Sequence, residues 1–281
     1  MEKILTKAEE VELSLRKKFH KTIFSRFTEA LNKYDLLKEG DKVAVCISGG
    51  KDSFLLAKLF QELKRHRKYP FEVVFLCMDP GYNPKNRKKI EENAKLLNIP
   101  LTIFETNIFE NVHNVEKSPC YLCARMRRGY LYNEAKNLGC NKIALGHHYD
   151  DVIETILMGM LYSGQIQTMM PKLHSKNFEG MQLIRPMYLI KEDDIKHWRD
   201  YNKLEFLQCA CKFTEKAEEL GEEGHVSKRA ETKEIIKKLK ERDDCIDGNI
   251  FKSVENVCLD TIIAYKDKNG KHHFIDNYDE E

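Results

Sequence analysis

Residues 43–60 read VAVCISGGKDSFLLAKLF. Val43 to Ile47 are a short β-branched and apolar run, the pattern of a buried strand. Phe54 to Phe60 continue with the apolar density of a helix. Between them lies Ser48-Gly49-Gly50-Lys51-Asp52-Ser53, a loop poor in side chains at a helix N-terminus. Such a loop exposes several backbone N–H groups at the positive end of the helix dipole and makes an anion site. Ser48 and Ser53 add hydroxyl donors, and Lys51 adds a positive charge. The Asp52 carboxylate makes sense beside phosphates when Mg²⁺ lies between them. The spacing is not that of the Walker loop, which needs four residues between its first Gly and its Gly-Lys pair. A glycine turn with a serine cap is the plain alternative, and the strand–loop–helix setting of all six residues argues against it.

Outward from the loop, further strands are expected at Phe71 to Met78, Leu101 to Phe104, Lys142 to Gly146 and Gln182 to Ile184. Helices are expected at Ser53 to Arg67, Lys85 to Leu97, Arg125 to Asn137, Val152 to Tyr162 and Asp193 to Tyr201. This alternation predicts an α/β fold, a parallel twisted sheet with helices on both faces, with ligands at the carboxyl ends of the strands. Upstream, Leu13, Phe19, Ile23, Phe24, Phe27 and Leu31 recur at helical spacing and predict one amphipathic helix ending near Asn32 to Tyr34. After about Glu215 the composition shifts to charged helix, Val226 to Arg242. Asn269-Gly270, between TIIAY and HHFI, predicts a tight hairpin turn. The expected organisation is an N-terminal helical segment over 1–38, a nucleotide-binding domain over 39–214 and a small helical extension over 215–281. Asp279-Glu280-Glu281 reads as a solvated tail.

With 281 residues, 42% hydrophobic and 33% charged, the chain can bury a full core under a well-solvated surface, which excludes bulk disorder. The formal net charge is only +2, so a nucleic-acid partner must be held by local basic patches. The opening MEKILTKAEEVELSLRKKFHK has no uninterrupted apolar core of the kind a signal peptide needs, and no stretch suits a bilayer span. The expectation is a soluble, cytoplasmic protein without a membrane partner. Nine cysteines are unusual as disulfides in a reducing compartment, which makes some of them candidates for a metal.

Cys120-Tyr121-Leu122-Cys123 runs into Ala124-Arg125-Met126-Arg127-Arg128-Gly129. Two thiols three residues apart at a helix start can converge on one metal centre, and the helix N-terminus and nearby arginines favour thiolates. Taken alone, the pair fits half of a zinc site, a redox pair or coincidence. Further thiols stand at Cys209 and Cys211. A structural zinc normally wants four protein ligands, whereas a cluster on three cysteines leaves one iron open to an exogenous sulfide.

SGGKDS resembles the PP-loop signature of the ATP pyrophosphatase class, whose members split ATP to AMP and pyrophosphate while adenylating a carbonyl oxygen on a Rossmann-like fold. Together with CYLCARMRRG (120–129), KIALGHHYDD (142–151), MLYSGQIQTMMPKL (160–173), IRPM (184–187) and the late cysteine, it resembles the tRNA 2-thiocytidine synthetase family from Phe27 to Cys211. That resemblance implies a 4Fe-4S cluster on Cys120, Cys123 and Cys209. The family shows two residues between its late cysteines where this chain reads Cys209-Ala210-Cys211. Cys209 is the expected ligand because it follows Phe206-Leu207. ATP and Mg²⁺ are expected on Ser48 to Ser53, with adenine near Met78 and Asp79 and with Gly146 and His147 at the nucleotide. The resemblance implies that the C2 oxygen of a cytidine in a tRNA anticodon loop is adenylated, that sulfide then attacks C2, and that AMP departs. The implied partners are tRNA and a sulfide donor such as a cysteine desulfurase system, and the implied assembly is a homodimer. The alternatives are another PP-loop synthetase with a structural zinc, and a non-enzymatic redox or nucleic-acid-binding module.

Gly146 to Asp151 end the fourth strand, at the rim where a nucleotide sits. Asp150 reads as an N-cap as well as a functional carboxylate. By resemblance, Asp151 joins Asp52 in the catalytic chemistry, and so does Arg127, a basic residue four after the second cysteine. His147 and His148, neighbours on a strand end, point apart, so no histidine metal site is expected. Cys46 and Cys77 lie in apolar strands and read as core thiols, while Cys140, Cys245 and Cys258 have no ligand spacing. The runs 64–68 and 85–89 read as solvated helix faces. Arg125, Arg127 and Arg128 have a stronger claim on phosphate, of ATP or of tRNA.

Overall fold

The computed structural model describes residues 4–66, 70–108, 119–207 and 228–278; the side chains of 119–121, 123, 124 and 277 are not among those described. The chain divides into two compact units, Met1–Val152 with Met170–Val226, and Ile153–Met169 with Ser227–Glu281. No helix among the described residues is long and apolar enough to cross a membrane.

In the first unit the β-branched run becomes β1 (Lys42–Ile47), buried from Val43 onward. It pairs in parallel with β2 (Glu72–Asp79) on one side and β4 (Lys142–Ala144) on the other. β3 (Leu101–Glu105) extends the β2 side, and β6 (Gln182–Ile184) then β5 (Lys172–His174) extend the β4 side, giving the order β3-β2-β1-β4-β6-β5. All pairings are parallel except β5 with β6. The expected parallel sheet is therefore corrected at one edge. β5 is three residues long and partly exposed, so it lacks the apolar run that marks a buried strand. The fourth strand also stops at Ala144, short of the expected Gly146.

Successive residues of a strand face opposite sides. Val43, Val45 and Ile47 enter one core cluster, with Phe54, Leu55 and Phe60 of α3 (Lys51–His66) and the N-terminal helices. Ala44 and Cys46 enter another, with Tyr132 and Ala135 of α5 (Pro119–Asn137). Helices thus cover both faces. Burial pushes the Cys46 and Cys77 thiols up to about 12, consistent with core thiols. The chain order reverses at β1, so a crevice opens at the carboxyl ends of β1 and β4.

The single N-terminal helix expected is in fact α1 (Lys7–Arg16), a π-helical turn at His20–Phe24 and α2 (Ser25–Lys33). Buried Leu15, Phe19, Ile23, Phe27 and Leu31 recur every four residues. At 3.6 residues per turn each step drifts by about 40°, and the wider π turn brings the row back onto one face. Lys58 fastens α3 beneath it. Fully buried, its Nζ donates to Glu12 Oε1 (2.7 Å), Gln61 Oε1 (2.7 Å) and the Leu97 carbonyl (3.0 Å). Burial lowers its pKa while Glu12 pulls it back up.

The second unit contains the later turns of α6 (Tyr149–Ser163), α8 (Lys228–Lys240) and α9 (Ile246–Ser253). Arg229 Nη1 donates to Glu154 Oε2 at 2.9 Å and ties α8 to α6. β7 (Ala264–Asp267) and β8 (Gly270–His273) form an antiparallel hairpin. Its two loop residues are Lys268 and Asn269, one place earlier than the Asn-Gly signal suggests.

Candidate active site

The loop after β1 is organised around a buried hydroxyl. Ser53 Oγ accepts from the Ser48 N–H at 3.2 Å and donates to the Gly50 carbonyl at 2.9 Å. Gly49 has φ +93°, and a Cβ there would lie 2.9 Å from Leu207 Cδ1 and 3.0 Å from Ile90 Cγ1. Gly49→Ala is therefore expected to cost about 1–3 kcal/mol through overpacking and backbone strain, read as a lower Tm in a thermal melt. At Gly146 a Cβ would lie 3.1 Å from the Asp52 carbonyl carbon. The end of β4 therefore meets the first turn of α3 backbone to backbone.

These approaches leave a cleft of about 430 Å³ at the crevice, lined by Cys46, Ile47, Ser48, Asp52, Ser53, Met78, Arg127, Leu131, Leu145, Gly146, His147 and Asp151. Eight residues singled out from sequence meet there. Leu122, which stands between Cys120 and Cys123, packs with Met126 in the cluster of Met78 and Ile108. The head of α5 therefore lies against the end of β2. Arg127 faces the Tyr82 phenol, which burial pushes up to about 12 while the guanidinium pulls it down.

Other expected residues have different surroundings. Gly50 and Lys51, together with Asp52, which borders both clefts, line a second cleft of about 660 Å³ with Glu192, Lys196 and Arg199 of α7 (Glu192–Tyr201) and with 204–207. Lys51 Nζ lies 3.1 Å from Asp52 Oδ1 and 3.4 Å from Glu192 Oε1. Asp79 is not among the residues lining the first cleft. Its carboxylate accepts from the Gly81 N–H (2.9 Å), the Tyr82 N–H (2.7 Å) and Arg87 Nη1 (2.6 Å), closing the turn into α4 (Pro84–Leu96). Burial pushes this carboxyl up, but the Tyr82 N–H and the Arg87 guanidinium outweigh it and hold it below the usual range. Asp150 Oδ2 accepts the Glu192 N–H at 2.6 Å, which caps α7. Asp151 Oδ2 accepts the His148 N–H at 3.0 Å, the returning half of a capping box at the head of α6. Cys120 and Cys123 lie on the first turn of α5, which starts at Pro119 rather than Arg125. Their side chains, and all of Cys209 and Cys211, fall outside the described residues.

Sequence reasoning passed over three features. His148 is buried, with ring nitrogens 3.6 Å from Asp151, 3.8 Å from Asp150 and 4.0 Å from Asp52. Glu192 anchors Lys51. Phe206 stacks between Phe54 (5.2 Å) and Trp198 (6.2 Å) and delivers Leu207 to the loop, where its N–H donates to the Gly49 carbonyl at 3.2 Å. The apolar pair Phe206-Leu207 beside a late cysteine was the available signal.

A family model described as a PP-loop domain matches residues 19–212. The tRNA-cytidine(32) 2-sulfurtransferase of Paraburkholderia xenovorans (strain LB400) is 32% identical over 268 residues, covering 93% of this chain and 76% of that protein. The chain belongs to this PP-loop sulfurtransferase family. The relative of the same name in Anaeromyxobacter dehalogenans (strain 2CP-C) is 29% identical over 262 residues, covering 90% of this chain and 87% of its own. Among solved structures, the U34-tRNA thiolase NcsA from Methanococcus maripaludis with its 4Fe-4S cluster shares the fold at TM-score 0.63 and 21% identity, covering 82% of this chain and 76% of that one.

For a PP-loop sulfurtransferase the cleft has the donors that a magnesium nucleotide requires. Asp52 Oδ1 is buried and takes no hydrogen bond, although the Lys51 ammonium lies beside it. An oxygen left in that state suits a hard cation. Two cysteines in the first turns of a helix, followed in sequence by arginines, are a donor set that suits iron–sulfur ligation.

Proposed function

We propose that this chain is an ATP-dependent tRNA sulfurtransferase that replaces the C2 oxygen of cytidine 32 by sulfur. The observation that carries the reading is a meeting on one cleft at the reversal of strand order. The phosphate loop follows β1, His147 and Asp151 follow β4 with Asp151 in the first turn of α6, and Arg127 comes from the helix whose start bears Cys120 and Cys123.

The C2 oxygen is a poor leaving group, and transfer of AMP from ATP makes it a good one. The loop N–H groups and the hydroxyls of Ser48 and Ser53 bind the phosphates. Asp52 and Asp151 hold Mg²⁺ against them, and Arg127 offsets the negative charge that builds as pyrophosphate leaves. Met78 and Leu131 give adenine an apolar wall. Cys120, Cys123 and Cys209 are the proposed ligands of a 4Fe-4S cluster, which when bound supplies an open iron for sulfide. The Leu207 N–H bonds to the Gly49 carbonyl two residues before Cys209 in the sequence, and holding sulfur donor and activated base together supplies proximity. The proposed donor is a cysteine desulfurase system and the proposed assembly a homodimer, which sulfide-transfer assays and light scattering test.

The deciding experiment pairs two measurements. Nucleoside mass spectrometry of tRNA is expected to lose 2-thiocytidine in cells without the protein. Anaerobically purified protein is expected to hold iron and labile sulfide. Stoichiometric zinc without iron favours a synthetase with a structural metal and overturns the reading.

A further inference from the structure

In the β7–β8 hairpin, Lys266 and Lys271 stand directly opposite one another, both exposed. Like charges facing each other across an antiparallel pair are destabilising. Lys268 adds a third exposed ammonium in the two-residue loop, and among the described residues none of the three lysines forms an ion pair. The nearest carboxylate on the hairpin is spent on the turn. Asp267 Oδ1 accepts the N–H groups of Asn269 (2.7 Å) and Gly270 (3.1 Å) and lies 3.0 Å from His272 Nε2. Several cations of the other runs are paired: Arg65 and His66 meet Glu62 at 2.7 and 3.2 Å, and Lys88 meets Glu92 at 3.8 Å.

The opposite face of the ribbon is aromatic. Tyr265 stacks on its cross-strand partner His272 with centroids 4.7 Å apart and planes at 17°. Phe274 and Tyr278, just beyond β8, are 51% and 70% exposed. Unanswered lysines on one face of a narrow ribbon and exposed rings on the other suit a polyanion that also carries flat bases. Phosphates neutralise ammonium groups, and unpaired bases stack on aromatic faces.

We propose that the β7–β8 hairpin is an RNA-docking element, with Lys266, Lys268 and Lys271 on tRNA phosphates and the Tyr265–His272 face as a stacking platform for an unpaired base. The inference rests on the tRNA reading above. It answers the demand set by a net charge of only +2, that an RNA partner be held by a local patch. Such contacts position the RNA without reading its sequence.

The test uses the full-length protein and an unmodified tRNA transcript, with affinity measured across a salt series. The triple variant Lys266→Gln, Lys268→Gln, Lys271→Gln is expected to bind at least about tenfold more weakly, and its log K against log salt slope is expected to fall by roughly 2–3. Tyr265→Ala is expected to weaken binding with the slope unchanged. Lys268→Gln, in the exposed turn, keeps the test readable should the triple variant fail to fold; its slope is expected to fall by about one. Parent affinity and slope in the lysine variants overturn the proposal and leave the tRNA reading intact if the parent binds and thiolates tRNA. A parent that binds no tRNA overturns both. A changed oligomeric state with tRNA affinity unaltered makes the face a protein interface and also overturns the proposal.

Discussion

Asp52→Asn is expected to lower AMP formation and tRNA thiolation by roughly 10²–10³, the scale of losing one preorganised electrostatic contact in an active site. Iron content and Tm are expected to stay near those of the parent. The effect is catalytic because of where the carboxylate sits. Its Oδ1 takes no hydrogen bond within the fold, and the internal contact that the substitution weakens is the pairing with Lys51, whose Nζ lies 3.1 Å from Oδ1 and donates to Oδ2 at 3.2 Å. Lys51 keeps a partner in Glu192 at 3.4 Å and is not left as a lone charge. Ser53→Ala differs, because its hydroxyl also ties Ser48 to Gly50; that variant is expected to lose activity together with some stability. Quantifying AMP released per tRNA thiolated, alongside iron and a melt, separates the two. An Asp52→Asn protein working at the parent rate would remove the ATP assignment.

The second large effect concerns the late cysteines. Cys209→Ala is expected to lose the cluster and all thiolation, whereas Cys211→Ala keeps most of both, measured as iron and sulfide per chain after anaerobic purification. Three thiolates leave one iron free for sulfide, whereas four saturate the cluster and leave electron transfer. The reverse pattern, with iron lost only in Cys211→Ala, moves the ligand two residues along. Loss in both variants indicates four ligands and withdraws the open-iron chemistry.

What could be read from the sequence was what consecutive residues encode. β1, the phosphate loop and α3 form one unbroken signal, and the β4 end with Gly146 to Asp151 another, so their meeting at the strand-order reversal followed from topology. The missing pieces depend on partners far along the chain. β5 is too short and exposed to carry a pattern. The π turn shows only in the four-residue recurrence of Leu15 to Leu31, which a 3.6 template reads as one straight helix. Pro119 marks the true head of α5, since proline suits the first helical position; the arginines after the CxxC pair drew the boundary too late. The aspartates divide by geometry that spacing cannot encode. Asp79 closes a turn and Asp150 caps another helix, while Asp52 and Asp151 reach the cleft.

The bond from the Leu207 N–H to the Gly49 carbonyl joins the phosphate loop to a residue that stands two places before Cys209 in the sequence. With Cys209 as the proposed ligand, a nucleotide that fixes Gly49 is expected to act on the chain leading to the metal, and the metal to act back on the loop. Thermodynamic linkage makes the two effects equal: the factor by which ATP changes affinity for the cluster is the factor by which the cluster changes affinity for ATP. On the proposed ligand set, the ATP dissociation constant is therefore expected to change with iron occupancy. Titrations on partly loaded preparations report an average over two populations.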